Sequence, residues 1–183
     1  NHICSLFNDL IKVESDDETV VLNAIRDNGG LAIINHPGRY SETVQFYVDL
    51  FLQFKDITLG LEVHNCGDKY PNDRKLWDLI NAVTIPKGKV VYGYANDDMH
   101  YVEDLYKTYN FILSPTLTET DIKAAMLAGQ TYFCYEPGGS GEAKAPRISN
   151  IAVNETAKTI TVTADSGTIA WITEGTATVG TGA

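Results

Sequence analysis

Along the first 135 residues the apolar positions change period several times, and each change marks an element. In "VVLNAIRDNGG" (20–30) Val20, Val21, Ala24 and Ile25 follow helical spacing, and two glycines close the run. "SDDE" just before it supplies an N-cap and acids matched to the helix dipole. "LAII" (31–34) is a continuous apolar run, as in a strand buried on both faces. Helical spacing returns in "SETVQFYVDLFLQF" (41–54), with Ser41 as N-cap, and a strand follows in "ITLGLEVHN" (57–65). "NDRKLWDLINAV" (72–83) is a predicted helix, and "KVVYGYAN" (89–96) and "YNFILS" (109–114) are predicted strands. "TETDIKAAMLAGQ" (118–130) is a capped helix with Gly129 near its end. The order α-β-α-β-α-β-β-α predicts parallel strands with helices packed outside, as a doubly wound sheet or a (β/α) barrel.

After residue 135 the texture changes. "EPGGSGEAKAP" (136–146) has the Gly/Pro content of a linker. Residues 147–175 then alternate with period two: Ile148, Ile151 and Val153, then Ile160 and Val162, then Ile169 and Trp171. The turn clusters "NETAK" and "ADSG" separate the runs, which predicts a short antiparallel β unit, the start of a sandwich-type domain. So few residues do not make a stable domain alone, so the unit either docks on the first part or is cut short. The opening "NHICSLF" reads as the inside of a folded segment, and the expectation is a processed or truncated fragment.

Composition narrows the classes. The chain has 183 residues, 44% of them hydrophobic, enough to bury a sizeable core. A net charge of −10 with only 14 Lys and Arg, and no basic cluster, argues against polymeric nucleic acid as a partner. No apolar run approaches the ~18 residues of a membrane span. Cys4, Cys66 and Cys134 are widely spaced and form no CxxC pair, so neither a disulfide framework nor a thiolate zinc site is indicated, and they read as core residues.

The four histidines fall at informative places. His36 follows the "LAIIN" strand, His64 lies near the end of "LGLEVHN", His100 ends "NDDMH" just past "VVYGYA", and His2 opens the chain. Three successive parallel strands therefore each bring a histidine, with carboxylates, to their carboxyl ends, where α/β folds build their sites. Neutral imidazole with carboxylate is a ligand set for zinc, iron or manganese. Asp98 and His100 stand two apart on one side of an extended segment, while Asp97 points the other way as an orienting partner. Glu62 sits inside a strand and needs a metal, an arginine or hydrogen bonds, because an unpaired buried carboxylate costs several kcal/mol. A lone histidine at a strand end is usually structural; three at equivalent ends favour a shared site. For His64 and His2 both readings stay open, and Arg39 is either a helix-start arginine or a phosphate clamp. Tyr40, Tyr94 and Tyr101 read as packing residues.

"INHPGRY", "GLEVHN", "YANDDMHY" and "LAGQTYFCYEPGG", in that order over roughly residues 1–140, resemble the second half of the PHP family, named for polymerase and histidinol phosphatase. The resemblance implies a fold class: an incomplete, distorted (β/α)7 barrel over residues 1–140. Residues 141–183 would be a linker plus a small antiparallel, β-sandwich-like appendage. It also implies an enzyme that hydrolyses a small phosphate ester with a metal-bridging hydroxide, using two or three zinc, manganese or iron ions. On that basis His36, Asp98, His100 and His2 are metal ligands and Arg39 contacts the substrate phosphate. The resemblance also supports a place near the site for Glu62 and Asn65, without a specific role, and the strand positions put His64 and Asp97 beside it. The family's opening His-x-His strand, its next histidine and its bridging glutamate have no counterpart here. The chain is therefore expected to lack the first half of the barrel, to hold at most one ion well and to be inactive alone. The rival readings are a binding module with a vestigial metal site, and a metallohydrolase acting on an ester or amide other than a phosphate.

Overall fold

The computed structural model describes residues 1–139, 145–173 and 177–182. Its central sheet has four strands in the order β1 (His2–Leu6), β2 (Leu31–Asn35), β3 (Thr58–Asn65) and β4 (Tyr92–Asn96). β2, β3 and β4 run parallel, and β1 joins β2 antiparallel. Three helices connect them: α1 (Glu18–Asp27), α2 (Val44–Gln53) and α3 (Asn72–Thr84). α1 starts where the Asp17 carboxylate accepts the Thr19 N–H, and Arg26 stands in its last turn, favourable against the helix dipole. α2 is capped by Thr43, which accepts from the Phe46 N–H at 3.1 Å, and not by Ser41 as its position suggested.

All eight residues of β3 are buried, because helices cover the sheet and strands flank β3 on both sides. Leu22 and Ile25 of α1, Tyr47, Val48 and Phe51 of α2, and Ile80 of α3 pack with Ile34, Leu59, Leu61 and Val63 in one core. Gly60 lets β3 and β4 approach closely; a Cβ there would stand 1.8 Å from the Tyr92 carbonyl oxygen.

The remaining elements are β5 (Thr108–Ile112), α4 (Glu119–Leu127), β6 (Thr131–Tyr135), β7 (Ile148–Asn154), β8 (Thr159–Ala164), β9 (Ile169–Ile172) and β10 (Thr178–Gly182). They form three two-stranded antiparallel sheets, β5 with β6, β7 with β8 and β9 with β10.

The expected (β/α)7 barrel, even as an incomplete one, is not what the chain forms. Among the described residues there are four helices and ten strands, and every sheet is open. Closure needs successive parallel strands of matched tilt, and the chain departs from that at both edges of the central sheet. At one edge β1 runs antiparallel. At the other, β4 meets a side chain instead of a further parallel strand. The Asn110 amide accepts from the Ala95 N–H at 3.0 Å and donates to its carbonyl at 2.7 Å. β1 and β6 were also absent from the predicted order.

The carboxyl-terminal residues pair antiparallel, as their alternation suggests, but as two separate two-stranded sheets. Residues 140–144 of the expected linker, 174–176 and 183 lie outside the described residues. Cross-strand pairs Ile151–Val162 and Val153–Ile160 put these side chains on one face of β7–β8, where Ile151 is 57% and Val153 61% exposed. Among the described residues no helix is long and apolar enough to cross a membrane.

Candidate functional site

Parallel pairing brings the ends of β2, β3 and β4 to one edge, where Asn65 lies opposite Asn96. Because β1 runs the other way, its first residue reaches the same edge, and His2 pairs with Asn35. The chain leaves β2 through His36, whose backbone is left-handed (φ 30°, ψ 59°), and enters a short turn over Pro37–Arg39. A non-glycine residue in that region is strained and persists only where its surroundings hold it. Here Glu62 holds it: its carboxylate accepts the His36 N–H at 2.6 Å. Glu62 also accepts from the Asn65 side chain at 3.2 Å and from the Asn96 side chain, so one buried carboxylate ties all three parallel strand ends together. Burial outweighs these bonds and pushes the Glu62 carboxyl up to about 7.

The His2 and His36 rings meet edge to face with centroids 4.9 Å apart. Tyr40 and Tyr70 stand on the same ring of His36, at 5.8 and 5.6 Å. Burial lowers the His36 pKa, with the nearby His2 lowering it further and Asp98 opposing, so the imidazole is neutral at pH 7. Asp98 is thus within electrostatic reach of His36, on a left-handed backbone (φ 47°). Arg39 is exposed at the rim, its guanidinium 5.9 Å from the Tyr40 ring centroid.

The other predicted residues each have partners of their own. Asp97 accepts the N–H groups of Tyr106, Lys107 and Thr108 at 2.7 to 3.0 Å, which fixes the loop leading into β5. His100 is exposed and its Nδ1 lies 2.6 Å from the Asp98 carbonyl oxygen, which sets Nδ1 as the donor. His64 packs on Tyr135 with ring centroids 3.9 Å apart, and its Nε2 lies 3.8 Å from Asp68, itself bound to Arg74. Asn65 serves Glu62. Two packing assignments fail: Tyr101 is 72% exposed, and Cys4 is exposed. Tyr94 is buried, and Tyr40 is half-buried against the histidines.

Sequence reasoning missed Asn96, Tyr70 and Asp73. Asp73 sits in the first turn of α3, where an acid normally serves the helix dipole from the surface. Here it is fully buried, and its Oδ1 accepts the Gly38 N–H at 2.5 Å. Burial raises its carboxyl to about 7.

Seven buried side-chain polar atoms lack a hydrogen-bond partner among the described residues, and five of them belong to this edge: Asn35 Oδ1, His36 Nδ1, His64 Nδ1, Asn65 Oδ1 and Asp73 Oδ2. Orphaned buried polar atoms are uncommon, because each costs free energy until it finds a partner. These nitrogen and oxygen atoms suit a divalent ion chemically. As a set they fall short, because among the described residues no three His, Cys, Asp or Glu side chains come close enough together to hold one. Comparison of the chain with protein-family models and with curated proteins finds no match.

Proposed function

We propose that this edge is part of the site of a phosphoester hydrolase, with His2, His36 and Asp98 as its metal-facing residues and Arg39 as its phosphate contact. The observation that carries the reading is the set of five unpartnered buried polar atoms at this sheet edge, His36 Nδ1 among them. Its neutral imidazole is suited to ligation, and Arg39 supplies an always-charged, bidentate donor at the rim, in a chain of net charge −10. Glu62 holds the strained His36 backbone in place. The metal would be zinc, manganese or iron and would polarise the phosphate oxygens; the ligands that the PHP resemblance implies and these residues lack would come from outside residues 1–183.

The deciding measurement is metal content of the purified chain after exposure to Mn²⁺ or Zn²⁺, alongside hydrolysis of p-nitrophenyl phosphate by the chain and by a longer protein that includes a His-x-His strand. The expected result is at most one ion per chain, lost in His36→Ala, and turnover only in the longer protein. Metal uptake unchanged in both His36→Ala and His2→Ala sinks the assignment. The shortage of converging ligands favours a second reading, a phosphate-binding module without turnover. That reading gains if the longer protein binds inorganic phosphate through Arg39 and hydrolyses nothing.

A further inference from the structure

Resting on the phosphoester reading, we propose that Asp73 is a positioning residue: it latches the Pro37–Arg39 turn to α3 and thereby sets where the Arg39 guanidinium meets phosphate. Among the described residues the Arg39 side chain makes no hydrogen bond, so the backbone that carries it sets the point from which its guanidinium reaches out. That backbone is held by buried side chains from three elements. Glu62 of β3 takes the His36 N–H, the Tyr47 hydroxyl of α2 donates to the Pro37 carbonyl at 3.2 Å, and Asp73 of α3 takes the Gly38 N–H.

Asp73 acts nearest to Arg39 and, with Glu62, is one of two carboxylates among the three. Gly38 is matched to it, since a Cβ at that position would stand 2.3 Å from Asp73 Oδ1, so the turn closes on the carboxylate only because residue 38 lacks a side chain. Its neighbour Arg74 is engaged with Asp68, so Asp73 has no arginine partner of its own and the Gly38 N–H is the bond its burial serves. Nothing in the local sequence distinguishes this acid from a surface dipole-matching residue; only the packing of α3 against the turn does.

The test compares Asp73→Ala, which removes the acceptor, with Asp73→Asn, which keeps a carbonyl oxygen at the same place. Hydrogen exchange of the Gly38 amide reads the latch directly. Slow exchange in wild type and Asp73→Asn with fast exchange in Asp73→Ala is expected; unchanged protection in Asp73→Ala overturns the proposal. Titration with inorganic phosphate, with and without manganese, reads the consequence. Asp73→Ala should weaken phosphate roughly tenfold, and Arg39→Ala with Asp73→Ala should be no weaker than Arg39→Ala alone. Additive losses in that double variant overturn the positioning role, because independent sites add. If neither the chain nor the longer protein takes up phosphate under either condition, the phosphoester reading fails, and Gly38 exchange still decides the latch.

Discussion

β3 and β7 are of similar length and both carry aliphatic residues, yet every residue of β3 is buried and β7 is exposed along nearly all of its length. The difference lies in neighbours. β3 has a parallel strand on each side and helices over the sheet, so its hydrogen bonds and both faces are removed from water. β7 has one partner, β8, and its apolar face of Ile151, Val153, Ile160 and Val162 has little over it. Hydrophobic residues stabilise only through the area they lose to solvent. The same aliphatic content therefore yields a rigid edge that can hold a site in one region and a marginal hairpin in the other.

The comparison can be broken most forcefully by truncation. Leu61→Ala, at a fully buried position, should cost about 4 kcal/mol, whereas Ile151→Ala should change stability by no more than about 0.5 kcal/mol. The chain has two tryptophans, Trp77 on α3 and Trp171 on β9. Urea unfolding followed in Trp77→Phe and Trp171→Phe backgrounds therefore reports the two regions separately. Equal losses for the two alanine variants would show that the hairpin face is covered in solution.

Acidity should separate the regions next. Asp73 has a folded pKa of about 7, above its usual 3.8, so the folded body binds more protons than the unfolded chain between those values. Asp73 should therefore lower stability by roughly 2 to 4 kcal/mol as pH rises from about 4 to 7. Glu62, also raised to about 7, should add a fall of the same sign, and Asp73→Asn should remove the Asp73 share alone. Asp165, between β8 and β9, accepts the Arg147 N–H at 2.9 Å and is held below the usual carboxylate range. Its contribution has the opposite sign: present above the usual range and lost as pH drops through the folded value. Urea midpoints at pH 4.5 and 7.5 check the first, and amide exchange of the Arg147 N–H near pH 3 checks the second.

Glycines sharpen the contrast at smaller scale. Gly60→Ala forces a methyl against the Tyr92 carbonyl and should cost about 2 kcal/mol or more. Gly180→Ala meets only the Trp171 ring at 3.7 Å, an ordinary contact, and should leave the Trp171 transition in place. Smallest of all is the exposed pair of Lys158 and Glu155, 3.4 Å apart, where Lys158→Gln should alter stability by less than about 0.5 kcal/mol.

Much of the element order was legible in the sequence, because a helix or strand face is written into the spacing of side chains within one segment. The helical spacing at Val21, Ala24 and Ile25, the unbroken apolar run of residues 31–34 and the alternation around Ile151 and Ile160 all identify their elements without outside information. That His36, His64 and Asp98 follow or end successive strands was equally readable, and the parallel pairing of β2, β3 and β4 brings those ends to one edge. What only the tertiary structure decided depends on partners distant in sequence. β1 is a strand because it pairs antiparallel with β2, and the sheet stays open because the Asn110 side chain occupies the edge where the next parallel strand of a barrel would lie. Likewise Asp97 turns to a loop, His64 to Tyr135 and Asp73 inward, since a side chain's direction at a strand end or helix start is set by whichever buried N–H or ring the packing brings to it.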